Sequence, residues 1–223
     1  MALPTAVLLD FSGTLFHVET TAEAVLAALG PDYLGAVPAL ELTGAVPGSA
    51  EPADVPAHLA SAWEQRDLSA QAHRAAYRGL ALHAGLDEAA ADRLYARVTV
   101  DPRSWQPYPD TGEVLRRLHE AAVPVALVSN IGWDLRPVLA EHGVSEHLPV
   151  LVLSDERGIV KPDREIFRQA CAALGVDPSA DVVMVGDNRL ADGGAVAAGL
   201  SYSWVSPSPD RAPDALLRAL ELV

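Results

Sequence analysis

The sequence predicts an α/β protein: an open parallel sheet whose strand–helix alternation is interrupted once by a helical insertion. Two observations carry this expectation. Five short runs, TAVLLD (5–10), PVALVSN (124–130), PVLVLSD (149–155), DVVMVGD (181–187) and SYSWVS (201–206), have the length and β-branched content of buried parallel strands. Helical patterns separate the last four, the spacing of right-handed βαβ units.

The elements follow in order. After the first run, residues 17–104 contain no convincing buried strand. HLASAWEQRDLSAQAHRAAYRGLALHAGL and DEAAADRLYARV read as helices, and the Pro/Gly-bearing GAVPGSAEPADVP as a loop. WQPYPDT marks the return, its two prolines forcing an extended path. Asp110 and Glu113 form a capping box that opens TGEVLRRLHEA. Pro162 stands in the first turn of DREIFRQACAALG, and Gly175 closes that helix. The expected division is a core of residues 1–16 and 105–223 and a helical insertion over 17–104.

Composition narrows the function. The 223 residues suffice for one large domain with a smaller insertion. A formal net charge of −14 argues against nucleic acid or an anionic membrane as the main partner, and no apolar run approaches a membrane span. The segment MALPTAVLLD lacks a basic leader, and the single Cys171 fits a reducing compartment. Together these predict a cytoplasmic protein with a small-molecule partner, monomeric or homodimeric.

In open α/β sheets ligands bind outside the carboxyl ends of the strands. Asp10, Ser129 with Asn130, and Asp187 each end an apolar run, Lys161 lies just ahead of a helix, and Asp192 follows Asp187 across a short turn. One strand-end acid is an ordinary cap or turn residue. Carboxylates, a hydroxyl and a lysine on one edge suit phosphoryl chemistry better. Asp10 and Asp187 can share Mg²⁺, and Ser129 and Lys161 can hold non-bridging oxygens while Asp10 attacks in line.

The order DFSGT, VSN, VKPD and GDNRLAD resembles the four motifs of the haloacid dehalogenase superfamily, in the group with a helical cap between the first two. The resemblance implies a Rossmann-like sheet with the first strand central and a small α-helical cap domain. It also implies a Mg²⁺-dependent hydrolase that acts on a small phosphorylated metabolite. Position by position, Asp10 would be the nucleophile. The Ser12 carbonyl would join Asp10 and Asp187 on the metal, with Asp192 directly or through water. Thr14 would support the loop, Ser129 and Asn130 would bind the transferring group, and Lys161 would orient Asp10 and the substrate.

Ser12 departs from the pattern, because family phosphatases carry there a second aspartate that protonates the leaving group. A serine hydroxyl is far too weak an acid near neutrality. The substrate then has a good leaving group, or His17 or Glu19 supplies the proton, or catalysis is weak and the chain binds a phospho-ligand. Dehalogenation is the further alternative, since halide leaves unprotonated. Asp187 and Asp192 oppose it, as uncompensated carboxylates repel a carboxylate substrate. His17 reads equally as a substrate contact or a hinge residue, and Trp133 as a pocket-mouth or packing residue. His58, His73, His83, His119, His142 and His147 read as surface or helix-end residues.

Overall fold

The computed structural model describes residues 3–18, 22–46, 52 and 54–222. All five expected strands form and build one parallel sheet. They are β1 (Ala6–Leu9), β4 (Val125–Ser129), β5 (Val150–Leu153), β6 (Val182–Gly186) and β7 (Ser201–Trp204), in the order β5-β4-β1-β6-β7. Two further short strands, β2 (Phe16–Val18) and β3 (Trp105–Pro107), pair in a separate ribbon, so the proline-bearing return is indeed extended.

The first strand lies at the centre. Leu9 is level with Leu127 of β4 on one side and Val185 of β6 on the other. Central strands bury both faces, which is why they read as unbroken apolar runs rather than alternating ones. Ala6 and Leu8 of β1 join Ala126, Val128, Val152 and Met184 in a cluster completed by the helix Arg164–Leu174 through Ile166, Phe167, Ala170 and Cys171. Each fully buried Ile or Phe there contributes about 1.5–3 kcal/mol. Cys171 is therefore a packing residue.

The chain divides into two compact units. One comprises residues 1–17, 107–131 and 139–223, and the other comprises 18–106 and 132–138. The short segment Gly132–Val138 thus clusters with the helical unit, whereas the linear reading kept it with the sheet. Its reason is local: the space beside Gly132 that a side chain would need is filled by the Arg66 carbonyl and the His73 Cβ.

Inside the helical unit the long helical reading of residues 58–86 splits. Helices run Ala60–Glu64 and Ala70–His83, and the second is restarted by Ser69, whose hydroxyl accepts from the Ala72 N–H at 3.2 Å. Asp87 caps the next helix, Glu88–Leu94, which widens into a π turn over Tyr95–Thr99. The apolar face of these helices, with Leu59, Leu80, Leu86 and Leu94, makes that unit's own core. Part of GAVPGSAEPADVP falls outside the described residues. His73 corrects the surface reading: it is buried, with Nδ1 2.9 Å from the Tyr95 hydroxyl.

Two helix starts in the sheet unit also differ from expectation. Pro162 lies ahead of the helix Arg164–Leu174 and not in its first turn, and Asp163 caps that helix, accepting from the Glu165 N–H. Asp110 makes no capping box. Its carboxylate Oδ2 accepts from the Leu216 and Leu217 N–H groups at 2.7 and 3.1 Å, while Glu113 pairs with Arg116 and Arg117. A tertiary partner with two unsatisfied helix N–H groups outcompetes the local cap.

Candidate active site

Parallel register puts the carboxyl ends of β1, β4 and β6 side by side. The Asp10 N–H donates to the Val185 carbonyl, so Asp10 emerges level with the last residues of its neighbours. The chain then turns through Phe11–Phe16. Gly13 is required in that turn on two grounds. Its φ is +77°, and a Cβ there would lie 2.6 Å from the Asp187 carboxylate carbon.

Lys161 organises the acids. Its Nζ donates to Asp10 Oδ1 at 2.6 Å, Asp192 Oδ1 at 2.6 Å and the Val128 carbonyl at 2.9 Å, which uses all three ammonium protons. Lys161, Asp10 and Asp192 are all buried. The Asp192 carboxylate is also held by the Asn188 N–H at 2.9 Å, and the absence of a side chain on Gly186 makes room for it.

Asp187 stands with Asp10 and Asp192, one carboxylate oxygen of each lying within 4.8 Å of the others. Three carboxylates thus face one ammonium. Burial pushes the Asp10 carboxyl up to about 7, with Lys161 opposing the rise and Asp192 and Asp187 adding to it. Asp187 is raised as well, by burial and then by Asp192. Burial also works against the Lys161 charge, yet Asp10 and Asp192 hold its pKa above the ordinary value. An all-oxygen donor set with excess negative charge suits a hard divalent cation. Because both Asp192 oxygens already have donors, Asp10 and Asp187 have the freer carboxylates.

The remaining candidates fall into distinct places. Ser129 is buried at the end of β4. Asn130 reaches the lysine segment: its Nδ2 donates to the Lys161 carbonyl at 2.9 Å and its Oδ1 accepts from the Lys161 N–H at 2.7 Å. Both ends of the amide thus brace the lysine segment. Thr14 is fully buried, with a hydroxyl that has no hydrogen-bond partner among the described residues, so it packs inside the loop. Ser12 is exposed at the turn.

His17 stacks on Tyr108, ring centroids 4.8 Å apart, and Glu19 lies outside the described residues. Trp133 is buried and packs on Trp105 at 5.7 Å, within the helical unit. Sequence reasoning missed Arg211, a buried side chain that donates to the carbonyls of the Asp10 loop. It sits in a polar, proline-rich stretch, SPSPDRAPD, that shows no helical or strand pattern and gives no local signal.

The chain thus combines a parallel sheet with a lysine-bridged carboxylate cluster at its carboxyl edge. Residues 4–199 match the haloacid dehalogenase-like hydrolases, and the chain belongs to that family. It is 35% identical over 119 residues to a phosphoserine phosphatase of Thermus thermophilus, covering 50% of this chain and 47% of that one. It is 38% identical over 90 residues to an (S)-2-haloacid dehalogenase 4A of Burkholderia cepacia, covering 40% and 38%. The match therefore spans about half or less of the curated relatives' length. Among solved structures, the L-2-haloacid dehalogenase of Xanthobacter autotrophicus superposes with a TM-score of 0.66 at 25% identity, covering 91% of this chain and 78% of that one. No described helix is long and apolar enough to cross a membrane.

Proposed function

We propose that this hydrolase is a Mg²⁺-dependent phosphatase acting on small phosphorylated metabolites with good leaving groups, through a phosphoaspartate on Asp10. The observation that carries the reading is the three-carboxylate cluster gathered around a single buried lysine. A haloacid carries its own carboxylate, and this excess of negative charge would repel it. A divalent ion converts the same excess into attraction for phosphate.

Asp10, Asp187 and the Ser12 carbonyl would hold the ion, which supplies charge neutralisation of the phosphoryl oxygens. Lys161 holds Asp10 in one orientation, and its positive charge opposes the rise that burial imposes on that carboxyl. An Asp10 oxygen attacks phosphorus, the bond to the leaving oxygen breaks, and that oxygen departs with the electron pair. Water then attacks phosphorus, which frees Asp10 as carboxylate and releases inorganic phosphate and a proton. Ser129, at the end of β4, would donate to a phosphoryl oxygen. Neither step has a carboxylic acid at position 12, so the first is fast only when the leaving oxygen needs no proton.

A substrate panel with Mg²⁺ tests this. Acyl and aryl phosphates should turn over faster than alkyl phosphates, and Ser12→Asp should raise alkyl turnover by roughly 10²-fold or more. Equal rates on alkyl and aryl esters would remove the leaving-group restriction. Release of halide from 2-haloacids without metal, with no phosphatase activity, would replace the reading by dehalogenation.

A further inference from the structure

The loop that carries Asp10 and Ser12 is held from outside by side chains remote in sequence. Three consecutive carbonyls are taken. Arg211 donates Nη1 to the Gly13 carbonyl at 3.2 Å and Nη2 to the Thr14 carbonyl at 2.8 Å. The Leu15 carbonyl accepts from the Thr111 hydroxyl at 2.8 Å and the Tyr108 N–H at 3.0 Å.

Arg211 is itself seated. Its guanidinium lies 3.5 Å from the centre of the Tyr108 ring and 3.6 Å from Asp110 Oδ1, and Tyr108 is tied back by its hydroxyl to the Pro207 carbonyl at 2.6 Å. A buried arginine is costly to keep and is retained where a planar fork is needed. Here two teeth of the fork meet two neighbouring carbonyls, a geometry that a lysine's single nitrogen does not reproduce.

We propose that Arg211 is a positioning residue of the active site: by clamping the Gly13 and Thr14 carbonyls it fixes the turn that presents Asp10 and the Ser12 carbonyl. The consequence for catalysis rests on the phosphatase reading, whereas the clamp does not. Asp187 packs against Gly13 of the same turn. A loosened turn therefore disturbs the acid that attacks and an acid of the cluster together. Misplacement of reacting groups by about 1 Å costs roughly 10²-fold in rate.

The test uses the full chain with Arg211→Lys, Arg211→Met and Arg211→Ala, an aryl phosphate with Mg²⁺, and amide hydrogen exchange over residues 11–16. In Arg211→Met, kcat should fall roughly 10²-fold with KM near the parent's. Loop amides should exchange about tenfold faster while those of β4 and β6 keep their protection. Added guanidinium should restore part of kcat in Arg211→Ala, and Arg211→Lys should fall between parent and Arg211→Met. Parent-like kcat and loop exchange in a folded Arg211→Met would overturn the proposal. Should that variant fail to fold, Arg211→Lys decides: parent-like loop exchange would overturn the clamp, and faster exchange confined to the loop would support it. A parent inactive on every phosphate would sink the phosphatase reading alone, with loop exchange still deciding the clamp.

Discussion

The two units treat charge in opposite ways. In the sheet unit a lysine and two aspartates are buried together at the strand ends, with a third acid beside them. In the helical unit ion pairs such as Arg74–Asp92 lie at the surface, with side chains 59% and 41% exposed. Its buried titratable side chain, His73, is held neutral: burial, and then the nearby Arg66, lowers its pKa to about 4. Surface pairs are worth little, and a buried neutral imidazole costs little near neutrality. Charges buried against one another are expensive and are kept where chemistry needs them. The contrast marks the strand ends as the place where charge is buried.

The strongest way to break the comparison is to remove one buried charge from the sheet unit. Asp10→Asn should abolish phosphatase turnover, a loss of about 10⁴-fold or more, while the fold persists. Turnover that survives in this variant would remove Asp10 as nucleophile. Lys161→Met leaves Asp10 and Asp192 buried without their cation and should cost about 3–5 kcal/mol in denaturant unfolding. Added Mg²⁺ should recover part of that loss, and a variant as stable as the parent would mean the cluster is solvated.

Smaller effects sharpen the contrast. His73→Gln should flatten the acid limb of stability. With a folded pKa near 4 against an ordinary 6.5, the unfolded state binds the proton more tightly, so stability is full above about 6.5. It should fall by on the order of 2–3 kcal/mol as pH drops toward 4. Chemical unfolding at pH 7 and 4.5 measures this, and an unchanged slope in the variant would assign the acid limb elsewhere. Gly13→Ala forces a side chain into positive φ and against Asp187, costing about 1–3 kcal/mol. Its melting temperature should drop, with kcat falling further than stability alone explains.

Much of this architecture was legible in linear order. Five apolar runs became five parallel strands; β1 and β4 are buried throughout and leave the plainest signature, whereas the edge strand β7 is only partly buried. Asp10, Ser129 and Asp187 were placed together for the same reason: residues at the ends of adjacent parallel strands must share an edge. The capping box at Asp110 failed because its local pattern competes with a partner 106 residues away, which no window of sequence contains. Asn130 was assigned to ligand for a related reason. Its type and position suit phosphate, and its two bonds to the Lys161 backbone could not be read from the linear order.

By itself, then, the sequence determined the sheet, its strand ends and the set of acids with one lysine, since periodicity and chain order are local properties. Ser12 was equally plain, and it leaves position 12 without an acidic side chain. Only the tertiary structure decided which acids the lysine holds, that Asn130 braces the lysine, and that Arg211 from the far end of the chain clamps the Asp10 turn. Those are choices among partners for buried polar groups. They are settled by which donors and acceptors meet when water is excluded, and nothing in the chain's local pattern records that.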